Sequence, residues 1–144
     1  MLQEDLPETK VADFKKYAPL FVDEIRKTGA RPVLLMAWAY KRLGWISMAE
    51  IAQAHREVGK ELGVDVAPVG LARERVMKER PDVNLFAPDF EHPSIHGTYL
   101  ETLVVYGTVF RSPVETRYLP SGITPETGAF LRQVAWESVE AWSK

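Results

Sequence analysis

Between two helix-patterned segments lies Arg31–Trp38, and from Pro32 onward the run Pro-Val-Leu-Leu-Met-Ala-Trp has no polar position. A strand with one wet face alternates apolar and polar residues. A strand without alternation must be covered on both faces, as in a parallel sheet between helices. A strand is therefore expected at Pro32–Ala37. Upstream, Thr9–Thr28 places Val11, Phe14, Ala18, Phe21, Val22 and Ile25 at three- and four-residue steps, the stripe of an amphipathic helix, and Gly29 ends it. Downstream, Ser47-Met48-Ala49-Glu50 forms a capping box. The helix it opens runs through Ile51, Ala54, Val58 and Leu62 to Gly63. Val64–Ala67 is a second short apolar strand, interrupted at Pro68, so the unit predicts two parallel strands joined by a right-handed crossover.

The remaining segments extend this pattern. Met1–Gln3 reads as the tail of a strand, Leu71–Arg80 as a charged helix stopped by Pro81, and Val83–Phe86 as a further short strand. Ser94 caps a mostly apolar helix through Tyr99, Leu100, Leu103, Val104, Tyr106 and Val109, which is expected to be buried. Gly97 inside that helix costs about 1 kcal/mol against alanine, which argues for close backbone packing there. Ser112–Gly122 reads as a loop, and Thr124-Pro125 opens a last helix with its stripe at Phe130, Leu131, Val134, Val139 and Trp142. Alternating helices and strands give an α/β fold with parallel strands. Two convincing strands and two weak ones are few for an open parallel sheet, so the chain reads as the second half of a doubly wound domain.

With 144 residues, residues 1–144 make one domain. A formal net charge of −2 gives no footprint for nucleic acid. The chain has no cysteine, which removes disulfides, thiolate catalysis and cysteine-based zinc sites and leaves the redox compartment undetermined. No apolar run approaches the length of a membrane span, and the acidic start Met-Leu-Gln-Glu-Asp lacks a signal-peptide pattern. Localisation therefore stays open.

Chemistry concentrates in Ala87–Leu100, Ala-Pro-Asp-Phe-Glu-His-Pro-Ser-Ile-His-Gly-Thr-Tyr-Leu. Asp89 and His92 stand three residues apart, just before Pro93 and the Ser94 cap. An imidazole held by a carboxylate is the base-and-orienter half of a nucleophilic hydrolase site. For a bare Asp-x-x-His, a turn with an aspartate cap and a chance histidine is the better reading, because short motifs match often. Pro93 and Ser94 put His92 outside the helix, so His92 and His96 need not share a face and a metal site is not expected. His55 reads as a solvated helix histidine and His96 as a first-turn residue. Trp38, Tyr40 and Trp45 are either core and loop packing or an aromatic wall at the C-terminal end of a strand, where open α/β sheets bind ligands. Ser47, Ser94 and Ser112 make better caps and turn residues than nucleophiles.

The run His-Pro-Ser-Ile-His-Gly-Thr-Tyr-Leu after Asp89 resembles the last conserved block of the SGNH, or GDSL-type, hydrolases. Leu34-Met36-Trp38, Ala67-Pro68-Val69-Gly70 and Asn84-Leu85-Phe86 extend the resemblance towards a bacterial branch, from Met1 to about Phe110. The resemblance implies a three-layer α/β/α, flavodoxin-like parallel sheet and hydrolysis of esters, often of carbohydrates. It implies His92 as general base, Asp89 as its orienting carboxylate, and no cofactor. The family's Gly-Asp-Ser block and its oxyanion-hole glycine have no match here, and Gln3 stands roughly where the family's asparagine would be. Trp38, Tyr40 and Gln3 are the expected substrate-binding residues. Three readings follow: an ester hydrolase represented by its Asp/His half, a non-catalytic relic or binding module of the same fold, or a subunit complemented by a serine-bearing partner. A half-sheet leaves an open strand edge, so self-association is expected as well.

Overall fold

The computed structural model describes residues 1–144. Eight elements run β1 (Leu2–Gln3), α1 (Val11–Lys27), β2 (Val33–Leu35), α2 (Met48–Leu62), β3 (Asp65–Ala67), α3 (Val69–Glu79), α4 (Ile95–Phe110) and α5 (Pro125–Ser143). The strands form one parallel sheet in the order β1-β2-β3. Leu2 pairs with Leu34, and Leu34 with Val66, so the three strands run in step. Sequential parallel strands with right-handed crossovers place α1 and α2 on one face. α1 and α2 pack on each other there, while α4 packs on β3 and against α3 and α5. Val33, Leu34 and Leu35 are all buried, as a strand covered on both faces requires. The fold is thus α/β with a three-stranded parallel sheet between helical layers.

Local sequence chemistry sets the boundaries. Ser47 accepts from the Glu50 amide, Glu50 reaches back to the Ser47 amide, and Gly63 closes α2 in the left-handed conformation at φ 60°. Such a capped start is worth about 1 kcal/mol. Ser94 and Thr124 cap α4 and α5 in the same way. Gly97 is required by contact: a Cβ there would stand 2.4 Å from the Leu85 carbonyl oxygen.

Three expectations need correction. The strands are shorter than the apolar runs, because Met36–Trp38 leaves the ladder after the Met36 amide bonds to the Ala67 carbonyl. Val83–Phe86 is not a strand; its one bridge joins Phe86 to Pro93 across the next loop. His55 is not solvated. It is completely buried, its ring 4.7 Å from that of Phe14 between α1 and α2. The periodicity of α2 already places residue 55 beside Ile51 and Val58 on the core stripe.

Candidate active site

The Asp89–His92 turn lies over the C-terminal ends of the strands. Asp89 is its keystone. One carboxylate oxygen accepts the backbone amides of Glu91 and His92 at 3.0 and 2.9 Å, and the other lies 2.7 Å from His92 Nδ1. A carboxylate at neutral pH only accepts, so Nδ1 carries a proton, and in the neutral ring Nε2 keeps its lone pair. The His92 side chain is 71% exposed, and Nε2 faces no competing hydrogen bond. The Glu91 amide, then the His92 imidazole, and after them the His92 amide hold the Asp89 carboxyl down at about 2. In return the bond from Asp89 raises the affinity of His92 for a proton, with Glu91 adding to the effect and Arg42 opposing it.

The turn is clamped from three directions. Within it, the Ala87 amide donates to the His92 carbonyl at 2.8 Å and the Phe90 amide to the Ala87 carbonyl at 3.0 Å. From the loop after β2, the Lys41 amide donates to the Phe90 carbonyl and the Trp38 indole Nε1–H to the Glu91 carbonyl. Arg42 joins the carboxylates of Glu91 and Glu8, tying the turn to the segment after β1. From α4, Ser94 donates its hydroxyl to the Asn84 carbonyl and its amide to the Leu85 carbonyl. The result is a rigid support with a solvent-facing imidazole nitrogen.

Asp89 and His92 are therefore brought together, and Trp38 lies directly against their loop. Trp38 and Tyr40 are both buried. The indole N–H is committed to Glu91, and the Tyr40 hydroxyl donates to Asp5 at 2.8 Å. Burial, and then that bond, push the phenol pKa up. Their part is to support the loop from beneath. Gln3 ends β1 in register with Leu35, exposed at the sheet edge. His96 lies in the first turn of α4, and no three His, Asp or Glu side chains converge to hold a metal ion.

Sequence reasoning passed over two neighbours. Phe90 is 57% exposed and takes a left-handed backbone at φ 59°, an uncommon state for a residue with a side chain. Arg73, on α3, is completely buried beneath the turn. An arginine four residues after Val69 and three before Val76, on an otherwise apolar stripe, was the available signal.

A cleft of about 590 Å³ lies elsewhere, at the start of β3, between Val64–Val66 and the ends of α4 and α5. It is lined by Trp136 and Trp142, at the opposite end of the sheet from His92.

No family model matches the chain, and no curated protein matches it. Among solved structures, the fold is similar to the crystal structure of a DUF4886 family protein from Bacteroides uniformis, with a TM-score of 0.80 and 18% sequence identity. That alignment covers 96% of this chain and 60% of the other, so the chain spans about three-fifths of that neighbour's length. At this identity the likeness speaks for the fold.

Proposed function

We propose that this chain is the acid–base half of an SGNH-type ester hydrolase, with carbohydrate esters as its substrate class. The observation that carries the reading is the 2.7 Å contact from His92 Nδ1 to Asp89, with Nε2 left free at the surface. In this arrangement Nε2 takes the proton of an attacking hydroxyl. The imidazolium that forms is stabilised by Asp89, and it then returns the proton to the leaving alcohol. The raised proton affinity of His92 suits a base that must hold a proton between the two steps.

The serine comes from outside these residues in this reading. No serine of the chain hydrogen-bonds His92. Ser47 and Ser94 are committed to helix caps. An open region beside β1 supports a serine-bearing α/β segment as the completing part. β1 pairs on one side only. Tyr17, Leu20 and Phe21 leave one apolar stripe of α1, the helix that follows β1, exposed. Apolar surface gathered in this way marks an interaction face. Self-association through the same edge is the second reading that this face supports.

The test follows hydrolysis of an activated acetate ester by the chain alone and by the chain joined to whatever serine-bearing segment its gene encodes in the same frame. The chain alone is expected to work barely above a free-imidazole control. The joined protein is expected to turn over, and His92→Ala to cost it about 10⁴-fold or more, as for a triad base. Robust turnover that survives His92→Ala would sink the proposal. Sedimentation of the isolated chain tests the second reading: a clean monomer at high concentration excludes self-association.

A further inference from the structure

α3 carries one charged residue on its buried face. Arg73 has no exposed surface, yet only one of its three guanidinium nitrogens has a partner: Nη2 donates to the Leu85 carbonyl at 2.9 Å. Nε and Nη1 are buried without hydrogen bonds. The nearest carboxylate in the Coulombic sense, Glu101, forms no ion pair with it, and burial raises the Glu101 pKa. An ion so poorly paired is expensive to bury, and an aliphatic side chain of similar length would be cheaper. Ion pairing therefore does not account for Arg73.

Its contacts do. The guanidinium stacks 3.9 Å from the centre of the Trp38 ring and 4.6 Å from that of Phe86. Trp38 holds the Glu91 carbonyl through its indole N–H. Phe86 lies opposite Pro93, the two held in place by the Ala87–His92 and Ser94–Leu85 backbone bonds that flank them. The Leu85 carbonyl that Arg73 grips also accepts the Ser94 amide. Glu91, Pro93 and Ser94 are the residues that flank His92 in the chain. Glu91 and Ser94 are bonded to groups that Arg73 touches, and Pro93 is paired opposite Phe86 by the Ser94–Leu85 and Ala87–His92 bonds on either side. The arginine fork suits this task because it is flat, stacks on aromatic faces and donates in its own plane.

We infer that Arg73 is a positioning residue that sets the orientation of His92 towards Asp89 from beneath, through Trp38, Phe86 and the Leu85 carbonyl. This rests on reading His92 as the base, so its test observes His92 directly, without any ester.

The test is an NMR titration of the His92 ring in the full chain, comparing wild type with Arg73→Met, Arg73→Lys and Trp38→Phe. Asp89→Asn serves as the reference for a lost orienter. The charged groups acting on His92 are Asp89, Glu91 and Arg42, and none of the first three variants replaces one of them. Arg73→Met is expected to lower the His92 midpoint towards that of Asp89→Asn. It should also speed hydrogen exchange at the Ala87 and Ser94 amides about two- to tenfold, the loss of one ordinary hydrogen bond. Arg73→Lys keeps the charge but loses the flat stack and should shift in the same direction. Trp38→Phe keeps a ring and loses the Glu91 bond, and should also lower the midpoint.

Charge alone predicts the opposite sign, because removing a buried cation makes a nearby imidazole easier to protonate. A rise in Arg73→Met, or an unchanged midpoint with only a lower melting temperature, would overturn the inference. If Arg73→Met does not fold, Arg73→Lys and Trp38→Phe decide it by the same signs. Failure here with a raised wild-type midpoint leaves the proposed function standing. A hydrolase indifferent to His92→Ala removes that function while the titration still reports on Arg73.

Discussion

His55 and His92 are the same ring in the same tautomer, put to opposite uses. Each donates from Nδ1, His55 to the Ile51 carbonyl at 2.9 Å and His92 to Asp89 at 2.7 Å. The His55 Nε2 is buried without a hydrogen-bond partner, and the His92 Nε2 belongs to an exposed ring. The differences are solvent and the charge of the acceptor. A neutral carbonyl cannot balance an imidazolium, and burial lowers the pKa of His55. A carboxylate can, and its bond raises the pKa of His92 in an open setting. Buried and neutral, His55 fills space against Phe14. Exposed and paired, His92 can exchange protons. Reactivity therefore lies in the pairing and the access, since the ring and tautomer are common to both.

Stability should separate the two most strongly. His55→Ala removes a buried aromatic ring between α1 and α2 and is expected to cost about 3 kcal/mol. His92→Ala removes an exposed side chain and should cost much less than His55→Ala. Urea unfolding of both variants measures this, and equal losses would break the comparison.

The pH dependence should then show opposite signs. An unfolded histidine takes up a proton near pH 6.5. Folded His55 resists that proton, so stability falls as pH drops below about 6.5 towards its lowered pKa. His55→Leu should remove this acid-side slope. Folded His92 holds its proton more tightly than the unfolded chain. Its contribution is full below about 6.5 and disappears as pH rises through its raised pKa. Asp89, held at about 2, contributes above the ordinary carboxyl range near pH 3.9 and loses that contribution as pH falls towards 2. Melting temperatures from pH 3 to pH 9 for His55→Leu and His92→Ala test the signs. A shared sign would show that one histidine has been placed in the wrong environment.

Chemical access gives a third contrast. An acylating reagent such as diethyl pyrocarbonate needs a bare, exposed imidazole nitrogen. His92 should be modified in the folded protein, while His55 should react only after unfolding. Peptide mapping across a denaturant series distinguishes them, and early labelling of His55 would contradict its burial.

Much of this was legible in the sequence, for definite reasons. The unbroken apolar run at Pro32–Trp38 revealed β2, the capping box revealed α2, and Asp89 with His92 sit close enough in sequence to meet through one turn. What was not legible depends on contacts between distant segments. His55 looks polar by type, and its burial is set by Phe14 on another helix. Trp38 and Tyr40 stand at a sheet edge that binds ligands in other folds, yet Glu91 and Asp5 occupy their polar atoms. Arg73 looks like one more charge on a charged helix until Trp38 and Phe86 close over it. Val83–Phe86 has the composition of a strand but no neighbouring strand to pair with, and the Asn84 side chain satisfies the Phe86 backbone at both its N–H and its C=O.

The smallest expected effect sharpens the picture of the loop itself. Phe90 holds a left-handed backbone because its amide is bonded to Ala87 and its carbonyl to Lys41. That conformation costs a residue with a Cβ about 1 kcal/mol or more. Phe90→Ala keeps the Cβ and the strain while removing the exposed ring. Phe90→Gly removes both, and gives back part of the gain through the greater freedom of glycine in the unfolded chain. Phe90→Gly should therefore be more stable than Phe90→Ala by up to about 1 kcal/mol. The His92 titration should be the same in both, because the Asp89 bonds involve neither the ring nor the Cβ of residue 90. Differential unfolding of the pair gives the first quantity and ring NMR the second. If alanine proves as stable as glycine, the loop does not hold residue 90 in the left-handed state. The turn that presents His92 would then be slack rather than strained, and its pairing with Asp89 would owe nothing to the clamp formed by Lys41 and Ala87.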